Sequence, residues 1–173
     1  MFLKRFKEKS IQKYVNSVLD NRKAAVHDRL IKSVGIVLNL EEYNNYDRLR
    51  QLIKSIRVKD NRVKFIAFIE DEKSAPNSWD SFFNPKNFGW KGKIDNVELE
   101  EFLETKFDIL ISYYTSDRLE LNYVTAVSQA NFKVGITNHD PRLYDLIIEI
   151  EPKHVQVFEN ELVKYLKVLN KIE

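Results

Sequence analysis

Cysteine is absent from this 173-residue sequence, and glycine and proline are scarce, with four of each. The lack of cysteine excludes disulfide bonds, thiolate metal sites and cysteine nucleophiles. The few glycines form no GxGxxG, Walker A or GxSxG pattern, which disfavours a standard dinucleotide site, a P-loop and a serine-nucleophile elbow. We therefore assign no catalytic residue, no metal ligand and no cofactor.

Long apolar runs are also missing from the chain. No stretch approaches the roughly 18–20 apolar residues that a membrane-spanning helix needs. The opening MFLKRFKEKS carries charges where a signal peptide has its apolar segment. We therefore expect a cytoplasmic protein, and the absence of cysteine fits a reducing compartment.

The residues that are present suit one folded domain. Hydrophobic residues make up 43% and charged residues 31%, which is ordinary for a globular protein. We predict a basic amphipathic N-terminal helix region at residues 1–30. Residues 31–173 are predicted to form a single α/β domain with an aromatic-rich insertion at residues 71–95.

The net charge of +2 is distributed unevenly along the chain. Residues 1–33 hold nine Lys and Arg against three Asp and Glu, so a basic end adjoins a slightly acidic body. Apolar residues between positions 3 and 19 recur near the 3.6-residue period of one helix face. The basic residues of the opposite face are candidates for partner binding: Lys4, Arg5, Lys7, Lys9 and Lys13.

Three interpretations of this basic helix are open. It packs across the domain with a solvated basic face, or it lies on a membrane surface, since Phe2, Leu3 and Phe6 interleave with lysines. The third interpretation is that it binds nucleic acid.

Five apolar runs alternate with helical patterns through the rest of the chain. Runs without polar interruption are typical of parallel strands that are covered on both faces. The predicted strands are residues 33–40, 63–70, 108–114, 132–136 and 145–150. We predict a three-layer α/β fold with a mostly parallel sheet of about five strands, Rossmann-like or flavodoxin-like, and the extra N-terminal helix.

Ligands of such sheets bind beyond the carboxyl ends of the strands. The loop NLEEYNN after the first strand has two glutamates and no glycine, and its negative charge should repel phosphate. The loop YYTSD offers hydroxyl groups and a carboxylate just before a predicted helix. The candidate ligand contacts are Asn39, Thr115, Ser116, Asp117 and His139. The alternative for this loop is that Ser116 or Asp117 caps the helix.

The insertion concentrates aromatic residues, and we predict a short strand near residues 88–90. Trp79, Phe88 and Trp90 are candidates for partner binding, as part of a stacking platform or a hydrophobic patch. The alternative is that these residues form a small core within the insertion.

Two resemblances concern the segment KFDILISYYTSDRLELNYVTAVSQANFKVGI. Its strand, loop, helix and short strand resemble the carboxyl-terminal halves of nucleotide-sugar glycosyltransferases, although YYTSD lacks their glycine. Together with the following DLII and the SVGIVLN strand, the segment also resembles a conserved bacterial family of unknown function. That resemblance implies a compact α/β domain and carries no activity.

These observations favour a non-catalytic binding or scaffold domain that acts on a protein partner through the basic helix or the aromatic insertion. One alternative is an enzyme or sensor that binds a nucleotide or nucleotide-sugar with a degenerate phosphate loop. The other is binding of a membrane surface or nucleic acid through the N-terminal helix.

Overall fold

The structure, a computed structural model, describes residues 1–77 and 81–173. Within these residues the chain forms one sheet of six strands, in which every neighbouring pair is parallel. The strands are β1 (Val34–Asn39), β2 (Val63–Phe68), β3 (Phe82–Phe83), β4 (Ile109–Tyr113), β5 (Phe132–Gly135) and β6 (Leu146–Ile147). Their order across the sheet is β3-β2-β1-β4-β5-β6.

Five α-helices connect or follow these strands in the described residues. They are α1 (Phe2–Asp20), α2 (Tyr46–Ser55), α3 (Val97–Glu104), α4 (Leu119–Val127) and α5 (Val155–Val168). Asn45 and Asn96 begin α2 and α3 by accepting backbone hydrogen bonds from Arg48 and Leu99, both at 3.0 Å, as expected of asparagine caps. None of the described helices is long and apolar enough to cross a bilayer.

Burial on both faces of the sheet explains the continuous apolar runs. Side chains alternate between the two faces of a strand, and in β1 Val34 and Ile36 join the core beneath α2 and α5. Val37 points to the opposite side, where it joins the core beneath α1, α3 and α4. The predicted α/β class is therefore confirmed, with helices on both sides of a parallel sheet.

The sheet has six strands rather than the five predicted, because the insertion contributes β3 at its edge. Only two residues of β3 pair with β2, which is too short a stretch to give a periodic pattern. The strand predicted near residues 88–90 is wrong, since Phe88 there forms only an isolated antiparallel bridge with Ile94. The strand predicted at residues 145–150 is reduced to Leu146–Ile147.

Gly35 lies in β1, near the centre of the sheet, where a neighbouring ring approaches the strand backbone closely. A methyl group at this position would lie 2.6 and 2.7 Å from two ring carbons of Phe107 and 3.1 Å from Leu110. Glycine at this position therefore lets Phe107 pack directly on the strand backbone.

We expect Gly35→Ala to lower the free energy of unfolding by about 1–3 kcal/mol, because the added methyl group overpacks the core. Urea denaturation measures this loss. Gly89→Ala is the matched control, since its new methyl group would meet no atom closer than 3.3 Å and should have a smaller effect. Equal losses for the two variants would contradict the proposed packing of Phe107 on Gly35.

Candidate functional site

The strand order reverses at β1 and β4, whose carboxyl ends lie side by side. Ligands of open parallel sheets bind in the crevice beyond such a reversal. The structure brings four of the five predicted ligand contacts together there. Asn39 donates to Ser116 Oγ (3.1 Å), and His139 Nε2 lies 2.8 Å from the Thr115 carbonyl oxygen.

Glu42, from the loop NLEEYNN, occupies the centre of this group. One oxygen of its carboxylate accepts hydrogen bonds from the Thr115 N–H (2.6 Å) and hydroxyl (2.7 Å). The other accepts from the Ser116 N–H and the Asn39 side-chain amide, both at 3.0 Å. Backbone N–H groups of this kind hold phosphate at nucleotide sites. The chain's own carboxylate therefore takes the place that an external anion would fill.

A tight turn after β1 delivers Glu42 to these donors. The N–H groups of Glu42 and Tyr43 both donate to the Asn39 carbonyl oxygen at 3.0 Å. The Asn39 side-chain oxygen accepts from the Glu41 N–H at 3.1 Å. Asn39 is buried, with 2% of its surface exposed, and both ends of its side-chain amide are occupied. It organises the turn from within rather than facing a ligand.

The ionised form of the Glu42 carboxyl is stabilised at this position. Burial raises the pKa of this carboxyl, but the hydrogen bonds from Ser116 and Thr115 outweigh burial and hold the pKa below its ordinary value. Sequence analysis treats the loop's negative charge only as a repulsion toward phosphate. The structure shows the same charge as an internal ligand of the YYTSD loop.

Asp117 lies apart from the Glu42 group and lines the neighbouring cleft beside α1. The carboxylate of Asp117 accepts from the Asn122 side chain at 2.7 Å and lies outside the Glu42 group. Helix α4 begins after Arg118, and the Arg118 side chain makes no capping hydrogen bond to it. The interpretation that Ser116 or Asp117 caps the helix is therefore wrong, since both side chains have other partners.

Aromatic side chains close the crevice from the α2 and α5 side. Tyr113, at the end of β4, is fully buried between the rings of Tyr43 and Phe158, with ring centroids 5.4 and 5.3 Å away. Its hydroxyl donates to the Pro152 carbonyl oxygen at 2.7 Å. Side chains thus fill the α2 and α5 side of this crevice.

The α1 side of the carboxyl edge has an open cleft of about 640 Å³, between α1 and the ends of β2 and β4. Arg118 lines it, forms ion pairs with Glu70 and Glu120, and stacks 4.6 Å from the ring centroid of Phe68. Lys4 and Glu8 of α1 line the opposite wall and lie 4.0 Å apart. Two of the four cations that line the cleft, Lys4 and Arg118, are therefore paired with acids of the same chain.

Helix α1 has two unlike halves. Ile11, Val15 and Leu19 pack into the core, whereas Phe2 and Phe6 are 80% and 53% exposed. At 100° per residue, Phe2 lies about 180° around the helix from Ile11, and Phe6 about 140°. The single apolar face predicted for residues 3–19 is therefore wrong in its first two turns.

We call the exposed surface opposite the packed residues the outward face of α1. The rings of its two phenylalanines lie 5.9 Å apart, and its basic residues follow each other at spacings of four. The outward face consists of Phe2, Arg5, Phe6, Lys9 and Lys13, all of them exposed.

The other predicted partner-binding residues differ in location. Lys4 and Lys7 line the cleft instead of the outward face. Phe88 is 2% exposed and packs against Phe83 and Tyr123, so it belongs to the core and not to a docking surface. Trp79 lies outside the described residues.

Trp90 is 51% exposed, in a short turn held against α1 by a hydrogen bond from the Lys91 N–H to Ser10 Oγ (3.2 Å). The basic helix and the exposed part of the aromatic insertion are therefore neighbours. The two surfaces that sequence analysis treats as alternatives adjoin one another in the fold.

Sequence analysis misses two residues of the carboxyl edge, Glu42 and Arg118. Glu42 and Thr115 are 73 residues apart, and Arg118 and Glu70 are 48 residues apart. A signal exists, because Glu42 and Arg118 lie two and four residues beyond predicted strand ends. Pairing them requires the strand order, which no local pattern supplies.

Comparison with known proteins finds one family for this chain. A family model described as a family of unknown function (DUF6913) matches residues 7–169. No curated protein and no solved structure matches the chain. The match covers nearly the whole chain, including most of α1.

We expect Glu42→Gln to lower the free energy of unfolding at neutral pH by about 1–3 kcal/mol, because the amide nitrogen of Gln cannot accept the bonds that one carboxylate oxygen accepts. Chemical denaturation measures the loss. Glu41→Gln is the matched control, since Glu41 is exposed and its removal should change stability by less than about 0.5 kcal/mol.

The effect of Glu42→Gln should depend on pH in one direction. Since the pKa of Glu42 is lowered by folding from an ordinary value of 4.5, its stabilisation is complete above that value and is lost as pH falls through the folded pKa. The difference between wild type and Glu42→Gln should be constant above about pH 5.5 and shrink toward pH 3. A difference that grows on acidification would contradict the internal-ligand role.

Proposed function

Because the chain belongs to the family of unknown function DUF6913, we propose its function from its geometry: it is a non-catalytic binding domain that acts through the outward face of α1. The α/β body serves as a rigid platform for this helix. The nucleotide-type crevice at the reversal of strand order contributes to the structure and not to binding.

The exposure of Phe2 and Phe6 carries this proposal. Full burial of a phenylalanine side chain contributes about 1.5–3 kcal/mol, and here two such side chains lie together on a surface that the fold leaves open. They lie opposite the packed residues, so the fold cannot bury them by a small rotation of the helix. This apolar surface is available to a partner.

The second half of α1 makes the outward face rigid. Ile11, Val15 and Leu19 hold the helix in the core, and Ser10 is bonded to the turn that carries Trp90. A partner therefore meets a preformed helix, and little conformational entropy is lost when it binds. With the cytoplasmic location predicted from the sequence, we place this binding event inside the cell.

The strand order favours a second candidate function, binding of a nucleotide or nucleotide-sugar. The order β3-β2-β1-β4-β5-β6 is that of Rossmann-like dinucleotide-binding sheets, and the cleft beside Arg118 has the volume of a ligand pocket. For a phosphate to bind at the reversal, Glu42 would first have to leave Thr115 and Ser116. This requirement makes the function secondary to binding through α1.

We expect Phe2→Ser/Phe6→Ser to release the chain from its partner without unfolding it. In a density gradient of a lysate from the cells that make it, wild type should migrate with larger material, and the variant as a free chain of 20.6 kDa. Removal of residues 1–22 is unsuitable for this test, since it would also remove Ile11, Val15 and Leu19 from the core.

The matched control for this gradient is Val157→Ser/Val168→Ser. Both valines are exposed on α5, which lies on the other side of the sheet. This control should migrate like wild type. Identical migration of wild type and the outward-face variant would contradict the proposed function, and gel filtration of the purified chain separates self-association from a different partner.

A thermal-shift panel of nucleotides, nucleotide-sugars and inorganic phosphate tests the second function. We expect no change in the Tm of wild type. A ligand present at a hundred times its Kd stabilises a protein by about 2.7 kcal/mol, which corresponds to about 5–10 °C for a chain of this size. A shift of that size would favour the second function over the first.

A further inference from the structure

We infer that the partner of the outward face is the surface of an anionic lipid bilayer. The inference rests on the proposed function, since it names the partner of that same helix. It follows from the combination of apolar rings, cations and rigid attachment on one exposed face.

The outward face pairs an apolar row with a cationic row. Phe2 and Phe6 are four residues apart and their rings lie 5.9 Å from each other. Arg5, Lys9 and Lys13 follow at the same spacing on the neighbouring row, and Phe2, Arg5, Phe6 and Lys9 enclose a shallow depression. An amphipathic helix binds a bilayer in this way, with its rings at the acyl boundary and its cations among the headgroups.

In residues 1–13 the charged side chains of the outward face are all positive. Residues 1–13 contain five Lys and Arg and a single acid, Glu8. Glu8 lines the cleft on the other side of α1, where it lies 4.0 Å from Lys4. Within residues 1–13, Arg5, Lys9 and Lys13 therefore have no acid beside them on the outward face. Each basic residue near an anionic leaflet contributes to attraction.

The apolar row distinguishes a bilayer from nucleic acid. A duplex offers phosphates to Arg5 and Lys9 but no apolar phase for Phe2, Phe6 and the neighbouring Leu3, which is 75% exposed. A bilayer offers both phosphates and hydrocarbon within the few ångströms that separate the two rows. The pattern of exposure therefore favours lipid over nucleic acid.

The contacts that hold α1 against the α/β body determine which residues would meet the membrane. The helix is fixed from Ser10 onward, so residues 2–9 lie on the bilayer while the α/β body remains in solvent. Trp90, exposed on the adjoining turn, is placed near the same surface, where tryptophan is a common interfacial residue. The body itself needs no change of conformation.

Vesicle sedimentation tests the inference with the full chain. The vesicles are pure phosphatidylcholine, or phosphatidylcholine with about a third phosphatidylserine. We expect binding to the second type only, and we expect it to weaken strongly between about 0.1 and 0.5 M salt as the Debye length shortens. Arg5→Glu/Lys9→Glu and Phe2→Ser/Phe6→Ser should each lower the partition coefficient about tenfold or more.

Two controls accompany these variants. Lys54→Glu/Lys167→Glu makes the same change of charge at exposed lysines of α2 and α5, and should retain more of the vesicle binding than Arg5→Glu/Lys9→Glu. Equal losses for the two charge variants would overturn the inference in favour of unspecific attraction. Thermal unfolding of each variant confirms that the exposed substitutions leave the fold intact.

The remaining outcomes separate this inference from the proposed function. Absence of vesicle binding would overturn the lipid assignment, and equal binding to both vesicle types would overturn the requirement for anionic lipid. If the lysate gradient still showed a difference between wild type and Phe2→Ser/Phe6→Ser, the outward face would retain its role with another partner. Binding to a labelled DNA duplex without vesicle binding would overturn the assignment in favour of nucleic acid.

Discussion

The hydrogen bonds between the Glu42 carboxylate and the loop after β4 close the carboxyl edge of the sheet at its centre. They join the ends of β1 and β4 at the one place where a sheet of this strand order binds ligands. The two N–H groups that could hold an anion already hold one. A carboxylate supplied by the chain has a high effective concentration at this site, so an external anion competes with it at a disadvantage.

With that crevice closed, we propose that recognition takes place at another surface. Tyr113 and its aromatic neighbours fill the α2 and α5 side, and Arg118 is neutralised by Glu70 and Glu120 on the α1 side. The outward face of α1 differs from both, because neither its rings nor its cations are satisfied within the chain's core. A helix that is half embedded and half exposed is a simple way to attach a rigid body to a partner.

Burial on both sides of the sheet makes much of the fold predictable. β1, β2, β4 and β5 are found within about two residues of their predicted ends, since two-sided burial gives continuous apolar runs. β3 escapes prediction because its two residues gain their role only from pairing with β2. The pairing of Glu42 with Thr115 escapes for a similar reason, since it depends on which strands are neighbours. In α1 the sequence itself shows the division into two halves, since Phe6 and Ile11 lie about 140° apart around the helix and cannot share a face.

Hydrogen–deuterium exchange of the full chain, free and bound to anionic vesicles, tests whether α1 rather than the crevice meets the partner. We expect slower exchange on binding in residues 2–9. We expect slow and unchanged exchange at Thr115 and Ser116, whose N–H groups are bonded to Glu42 in both states. Rapid exchange at Thr115 and Ser116 in the free chain, or protection there on binding with no change at residues 2–9, would contradict this expectation.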